Sequence, residues 1–158
     1  MQDGLAEIYT DGSCHTQQKI GTWVAIILVD TGKKILSGTA KDTSHNRMEL
    51  TAVTEAIDYI KNHYGNTISI KVYTDSQYVK GLPVRKEKLV KEDFTSGKGN
   101  PLQNADLVKT FFKTISKLSV ELVKIKAHQK STDVVNYNRE ADMLSRKLLR
   151  NAVDEISN

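Results

Sequence analysis

Two aspartates occupy matching positions in two similar short sequences. Asp11 lies in Tyr-Thr-Asp-Gly-Ser (residues 9–13) and Asp75 in Tyr-Thr-Asp-Ser-Gln (residues 73–77). Both follow strand-like stretches, so each is expected at the carboxyl end of a strand, where α/β sheets commonly build their sites. If the two strands are parallel neighbours, the carboxylates lie side by side and need a cation to neutralise them. Taken singly, each aspartate could instead open a turn or cap the following helix.

Glu49 and Asp142 are two further carboxylates that helical periodicity places near the interior. Glu49 lies close to core-facing Val53, whereas Glu55 falls on the opposite, solvated face of the same predicted helix. An inward-facing carboxylate needs a partner, although Asn46-x-x-Glu49 also has the spacing of a capping box. Asp142 is next to the apolar stripe of the last predicted helix. Its alternative role is to complement the helix dipole.

Together these residues form a set of hard oxygen ligands without paired histidines or cysteines. Such a set favours Mg²⁺ or Mn²⁺ over Zn²⁺. Two such ions, about 3.5–4 Å apart, can activate a water and stabilise the leaving oxygen in phosphodiester hydrolysis. His128 follows the last predicted strand and is the side chain best suited to moving protons near neutral pH, although a lone loop histidine usually has no special role. The spacing alone therefore predicts metal-assisted phosphoryl chemistry.

The elements that must position these residues follow the order β-β-β-α-β-α-α-β-α. This order predicts a mixed α/β fold, in which an antiparallel three-strand meander continues into parallel strands and helices pack on the faces of the sheet. The predicted strands are Ala6–Thr10, Thr22–Val29, Lys34–Ala40, Ile68–Asp75 and Val120–Lys126, and the predicted helices are Arg47–Lys61, Ser76–Lys80, Asn104–Leu118 and Asn138–Ala152.

The segment Gly81–Asn100 lacks apolar periodicity, and Gly81-Leu-Pro83 is expected to stop the preceding helix. It carries mixed charges with several lysines, which leaves two interpretations. It is either a solvated surface loop or a basic flap that contacts phosphates. Only its position relative to a site can decide between them.

Composition limits the class of protein. With 158 residues, 39% apolar and 27% charged, the sequence predicts one globular domain and excludes disordered and repeat classes. The single cysteine, Cys14, excludes an internal disulfide and fits a reducing compartment. The longest apolar run, Val24–Val29, is too short for a membrane span, and the start lacks a signal-peptide pattern. We therefore expect a cytoplasmic protein whose net charge of +4 permits a nucleic-acid partner.

Five motifs are spread over nearly the whole chain: Tyr9–Cys14, Asn46–Leu50, Thr74–Val79, Ala127–His128 and Asn138–Asp142. In their sequences and their order, they resemble the motifs of type 1 ribonuclease H. The resemblance implies a ribonuclease H-like fold with a five-stranded mixed sheet. It also implies sequence-independent cleavage of the RNA strand of RNA–DNA hybrids, giving 5′-phosphate and 3′-hydroxyl ends. One catalytic domain over residues 1–158 is expected, without a separate hybrid-binding domain, acting as a monomer with no obligate protein partner.

The resemblance also implies roles for individual residues. Two Mg²⁺ ions, with Mn²⁺ as a possible substitute, would be held by four carboxylates, with Asp11 bridging both ions and His128 helping to release the product. A hybrid presents 2′-hydroxyls on one strand only, in a wide minor groove that polar side chains reach. The implied metal ligands are Asp11, Glu49, Asp75 and Asp142, and the implied substrate contacts are Cys14, Ser44, Asn46, Gln77 and Asn104.

The sequence departs from the family pattern in three places. Residues 15–19 lack the Asn-Pro-Gly stretch of many relatives, residues 81–100 contain no Trp, and the loop between His128 and Asp142 is expected to be long. Three alternatives therefore stay open. They are a catalytically silent module that binds hybrid or structured RNA, a related nuclease acting on DNA or double-stranded RNA, and a ribonuclease H domain excised from a reverse transcriptase.

Overall fold

The computed structural model describes residues 4–30, 32–96, 98–125 and 132–157. The predicted order of elements is confirmed, although several boundaries differ. The elements are β1 (Leu5–His15), β2 (Ile20–Val29), β3 (Gly32–Lys41), α1 (His45–Tyr64), β4 (Ser69–Thr74), α2 (Gln77–Lys91), α3 (Ala105–Ile115), β5 (Ser119–Lys124) and α4 (Asp133–Ser157).

The strands form one five-stranded mixed sheet in the order β3-β2-β1-β4-β5. Strands β1, β2 and β3 are mutually antiparallel, as the meander prediction requires. Strand β4 lies parallel to β1 and β5 lies parallel to β4. The predicted mixed fold is therefore confirmed, with β1 at the centre of the sheet.

Helices cover both faces of this sheet. Because successive side chains of a strand point to opposite faces, Ile8 of β1 packs with Leu50 of α1 and Phe111 of α3. The adjacent Tyr9 packs on the other face with Ala141 of α4. The central strand is thus buried on both sides, and its carboxyl-terminal half is held between α1 and α4.

Strand β1 is longer than predicted, so Asp11 lies inside it and not at its end. Its parallel pairing with β4 runs only to Tyr9↔Tyr73, whereas its antiparallel pairing with β2 continues to His15↔Ile20. The second half of β1 is extended because β2 supplies a partner there. Asp11 therefore stands two residues beyond the last β4 pair, beside the point where the chain leaves β4.

Helix α1 begins earlier than predicted, because Ser44 is its N-cap. The Ser44 hydroxyl accepts a hydrogen bond from the backbone N–H of Arg47 at 3.3 Å. The capping box inferred for Asn46 and Glu49 is therefore wrong, since both residues already lie within the helix. Glu49 is in the second turn, where it satisfies no helix-terminal N–H group.

Helix α2 continues through the segment that was predicted to be irregular. Pro83 lies inside α2, which ends only at Lys91. Although proline removes one helical hydrogen bond, Val79, Leu82 and Leu89 are buried on one face of α2, and this packing outweighs the local cost. The loop prediction is therefore wrong as far as residue 91, and the basic residues of this segment up to Lys91 are presented on a helix.

Helix α4 also begins earlier than predicted, at Asp133. The long loop expected before Asp142 is therefore wrong from residue 133 onward. The predicted proton-transfer residue His128 lies outside the described residues. In the part of the chain that the structure describes, none of the helices is long and apolar enough to cross a membrane.

Candidate active site

One cavity of about 370 Å³ brings the four predicted carboxylates together. It lies where β1 extends beyond its last pair with β4, between the first turns of α1 and the middle of α4. Strand β1, helix α1, the end of β4 and helix α4 each contribute one acidic residue. The lining residues are Asp11, Gly12, Ser13, Cys14, His45, Glu49, Asp75, Asp142, Arg146 and Leu149.

Three of the carboxylates are in direct proximity. One carboxylate oxygen from each of Asp11, Glu49 and Asp75 lies within 4.8 Å of the others. Asp142 faces the same cavity from α4, where its Oδ1 accepts a hydrogen bond from Arg146 Nε at 3.0 Å. This ion pair is largely exposed, so it is worth little and is easily exchanged for another partner.

Gly12 allows α1 to bring Glu49 against β1. A Cβ atom at Gly12 would lie 2.5 Å from the backbone nitrogen of Glu49 and 2.7 Å from the carbonyl carbon of Met48. Because these are backbone atoms of a helix, they cannot move aside individually. The second turn of α1 therefore rests directly on β1, and this close approach carries Glu49 to Asp11.

The two innermost carboxylates are buried. Asp11 is 4% exposed and Glu49 is fully buried. Burial and then the charges of Glu49, Asp75 and Asp142 raise the pKa of Asp11 to about 8. Burial likewise raises the pKa of Glu49, against the opposing effect of His45. The site thus crowds acidic groups so closely that the innermost ones favour the protonated form unless a cation is bound.

The buried carboxylate oxygens lack donors. Among the described residues, Asp11 Oδ2 and both carboxylate oxygens of Glu49 accept no hydrogen bond of good geometry, although the Gly12 backbone N–H and the His45 ring are close enough to lower the pKa of Glu49. His45 Nε2 lies 3.3 Å from Glu49 Oε1, which is an ion-pair distance without hydrogen-bond geometry. Buried carboxylates without donors are costly unless a cation is bound. Oxygen ligands of this kind fit a hard divalent metal ion, so the residues present are suited to divalent metal binding.

Two cavity residues with ionisable side chains were missed by the sequence reasoning. His45 begins α1 and lines the cavity beside Glu49; nothing in its sequence neighbourhood indicated this. Arg146 could have been found, because its position four residues after Asp142 places the two side chains together on a helix.

The predicted substrate contacts lie around this cavity in different settings. Cys14 lines it, half-buried, and its thiol donates to the carbonyl of Thr43 at 3.6 Å. Ser44, Asn46 and Gln77 lie at the starts of α1 and α2, with Asn46 and Gln77 exposed. Of these four residues, only Cys14 lines the cavity.

Asn104 lies at the start of α3 in a left-handed conformation, with φ of 64°. Its Oδ1 accepts a hydrogen bond from Arg47 Nη1 at 3.3 Å. Arg47 also forms two bonds of 3.0 Å to the carboxylate of Asp106. These contacts connect the first turns of α1 and α3, so Asn104 is held relative to the helix that carries Glu49.

Comparison with known proteins identifies the class to which this fold and site correspond. The family model for RNase H matches residues 4–150. Ribonuclease H of Ehrlichia canis (strain Jake) is 36% identical over 149 residues, which are 92% of this chain and 97% of that protein. The chain therefore belongs to the ribonuclease H family of nucleases.

Solved structures agree on the fold. LC9-RNase H1, described as a type 1 RNase H with the type 2 active-site motif, matches with a TM-score of 0.77 at 19% identity, over 93% of this chain and 72% of that chain. The foamy viral protease-reverse transcriptase in complex with RNA/DNA hybrid matches with a TM-score of 0.71 at 18% identity, over 92% of this chain and 20% of that chain.

Proposed function

We propose that this protein is a metal-dependent endoribonuclease that hydrolyses the RNA strand of RNA–DNA hybrids with little regard to sequence. It would leave 5′-phosphate and 3′-hydroxyl ends by a two-metal-ion mechanism. Family membership supports the reaction class. The RNA/DNA hybrid in the foamy viral structure is a ligand of that protein, and we extend hybrid binding to this chain as part of the proposal. The observation that carries the proposal is the convergence of four carboxylates on one cavity, with buried oxygens that lack donors. We extend the proposal to one catalytic domain that works as a monomer.

The proposed metal ligands divide into an inner and an outer pair. Asp11 and Glu49 are buried and would be the inner ligands of the ions. Asp75 and Asp142 are more accessible and would complete the set on the substrate side. When bound, two Mg²⁺ ions, or Mn²⁺ in their place, would activate the attacking water and stabilise the leaving oxygen.

Other residues would serve charge balance and product release. Arg146 balances the charge of Asp142 and can leave it at small cost, because the pair is exposed. His45 offsets part of the charge of Glu49. We retain His128 as the residue proposed to help release the product.

The substrate would lie across the helix starts. Cys14, Asn46, Gln77 and Asn104 would contact the minor groove, where the 2′-hydroxyls of the RNA strand distinguish it from DNA. Ser44 would contact a phosphate of the DNA strand at the start of α1, where helix N–H groups favour anions. Such contacts read shape and backbone, which is consistent with low sequence specificity.

The test compares labelled RNA–DNA hybrid, duplex RNA and duplex DNA in Mg²⁺, using the unaltered protein, Asp11→Asn and Asp75→Asn. Glu55→Gln, on the exposed face of α1, is the matched control. We expect cleavage of the hybrid RNA only, with unchanged activity in the control. Each active-site variant should lose at least about a hundredfold in rate, as when a group that stabilises transition-state charge is removed. Sequencing of the fragment ends checks the predicted products.

Each other outcome has a defined meaning. Robust cleavage by either aspartate variant would refute the proposed metal site. Equal cleavage of duplex RNA or duplex DNA would indicate a related nuclease with a different substrate. Tight hybrid binding without turnover in both Mg²⁺ and Mn²⁺ would support the silent binding module.

A further inference from the structure

Ser145, in the middle of α4, is a fully buried polar residue that is bonded to two strands. Its hydroxyl donates to the hydroxyl of Ser13 in β1 at 2.8 Å. The Thr22 hydroxyl of β2 donates to the Ser145 carbonyl at 2.8 Å and lies 3.4 Å from the Ser145 hydroxyl. Thr22 is itself fully buried. Leaving such groups unpaired costs about 1–3 kcal/mol each, so this cluster holds α4 in one position.

The two strand residues form a cross-strand pair beside the carboxylates. Ser13 and Thr22 are directly opposite each other in the β1–β2 ladder. Ser13 also follows Asp11 by two residues, so both side chains leave the same face of β1. The attachment point of α4 is therefore built into the same stretch of strand that carries Asp11.

The helical side of the contact is equally close to the site. Asp142 precedes Ser145 by three residues and Leu149 follows it by four, so the three share one side of α4. Both Asp142 and Leu149 line the carboxylate cavity. A shift of α4 by one residue would move its side chains about 1.5 Å along the axis and about 100° around it. Asp142 would then leave the cavity.

Among the described residues, the other contacts of α4 with β1 and β2 are mainly apolar, and a partly exposed ion pair joins Glu140 of α4 to Lys33 of β3. Ala141, Leu144 and Leu148 pack against Val24 and its neighbours. Apolar packing stabilises the helix strongly, but it is non-directional and specifies rotation and axial position less sharply than hydrogen bonds. Because the Lys33–Glu140 pair is partly exposed and contributes little, the buried hydroxyl cluster supplies most of that directional information.

We propose that Ser145 is a positioning residue which, through Ser13 and Thr22, sets where the carboxylate of Asp142 stands relative to Asp11 and thereby sets the affinity for divalent metal. This inference rests on the proposed function, because it takes Asp142 as a metal ligand. Residues that orient metal ligands commonly change metal affinity about 10- to 100-fold when they are removed.

The first measurement is Mn²⁺ and Mg²⁺ affinity by calorimetry, without substrate, for the unaltered full chain and Ser145→Ala. We expect the dissociation constant to rise about tenfold in the variant. Thr22→Val, which keeps the shape and removes the bond to the Ser145 carbonyl, should change affinity in the same direction and serves if Ser145→Ala folds poorly. Thr114→Ala, at a buried threonine of α3 on the other face of the sheet, is the matched control and should bind metal normally.

A double-mutant cycle separates positioning from general loss of stability. In an Asp142→Asn background, Ser145→Ala should no longer change metal affinity, while its effect on the melting temperature should persist. Unchanged affinity in both Ser145→Ala and Thr22→Val, or an equal loss in the Asp142→Asn background, would overturn the inference and leave the proposed function intact. Normal metal affinity in Asp142→Asn itself would instead refute the ligand role assigned to Asp142, and the positioning inference with it.

Discussion

The position of Glu49 depends on a neighbour that has no side chain. At Gly12 the second turn of α1 approaches β1 so closely that any Cβ atom would overlap helix backbone. A helix that must deliver a carboxylate to the middle of a strand has to come this near. Gly12 is therefore part of the geometry of the site, although it offers no chemical group.

Gly12→Ala should disturb both stability and metal binding. We expect a loss of roughly 1–3 kcal/mol in the free energy of unfolding, because the added methyl overpacks a rigid contact. Divalent metal affinity should fall as α1 is displaced with Glu49. Denaturant unfolding and calorimetry measure the two effects.

Gly81→Ala is the matched control, since a Cβ atom at Gly81, inside α2, meets nothing within 4 Å. It should raise the free energy of unfolding by about 0.5–1 kcal/mol. A Gly12→Ala protein as stable as the original would show that α1 can retreat without cost.

The identity of the site residues could be predicted from the sequence better than their burial and their contacts. Asp11 and Asp75 could be found because each follows a strand-like apolar stretch, and Glu49 because helical periodicity places it on the core-facing side. The burial of Glu49 beside Gly12 could not, because close approach depends on two elements distant in sequence. The cavity position of His45 was hidden for the same reason.

At the scale of elements, sequence signals were overruled where packing is strong. Pro83 and Gly81 are reliable local indicators of a break, yet α2 passes through both because Leu82 and Leu89 are buried. Strand β1 likewise runs past the predicted stop because β2 pairs with it to His15. The order and type of elements were predictable because periodicity is local, whereas their ends depend on partners elsewhere in the chain.

The continuous helix α2 presents its basic residues on one rigid element, which makes the basic-flap interpretation testable. Replacing Lys86, Lys88 and Lys91 by glutamine should weaken hybrid binding. It should also reduce the dependence of affinity on salt, by roughly 0.7–0.9 in the logarithmic slope for each phosphate that the variant no longer neutralises. Affinity measured by fluorescence anisotropy at several salt concentrations gives this slope.

The control replaces three lysines toward the end of the sheet that lies away from the carboxylate cavity: Lys34, Lys61 and Lys117. This triple variant removes the same total charge from a surface that the substrate is not expected to contact, so it should retain a nearly normal slope. Equal slopes for both triple variants would mean that α2 does not contact phosphates and is a solvated surface element.

The charge of the whole molecule is unevenly distributed. The chain has 23 Lys and Arg against 19 Asp and Glu. Setting aside the four carboxylates of the cavity leaves 15 acidic residues and a balance of +8 elsewhere. The modest net charge therefore combines an acidic cavity with a more basic remainder, which suits a polyanionic substrate bound next to metal ions.

This concentration of charge should make the metal-free protein less stable as pH rises. The pKa of Asp11 is raised from 3.8 to about 8 in the folded chain. Between about pH 4 and pH 8 the Asp11 carboxyl is therefore protonated in the folded state but ionised in the unfolded state. Stability in a chelator should therefore fall from about pH 4 to pH 8, because the unfolded state binds fewer protons there. Asp11→Asn removes this effect and should melt at a higher temperature than the unaltered protein at pH 9.

Thermal melts from pH 4 to pH 9 in EDTA check this expectation. The melting temperatures of the unaltered protein and of Asp11→Asn, plotted against pH, should converge near pH 4. Asp58→Asn, at an exposed position of α1, should follow the unaltered protein throughout. Saturating Mg²⁺ should remove the advantage of Asp11→Asn, since only the unaltered site gains from binding. An Asp11→Asn protein that is the less stable at pH 9 in EDTA would contradict the raised pKa.

The overhang of β1 beyond β4 has a consequence for timing. At Asp11, β1 is paired with β2 along one edge, whereas its other edge has no β4 partner past Tyr9. Amide protons in this ladder are expected to exchange with solvent only in large-scale openings of the sheet. A ligand that enters the cavity is therefore expected to meet a backbone that is already ordered. Binding of a ligand in the cavity should therefore not require the backbone around Asp11 to become ordered first.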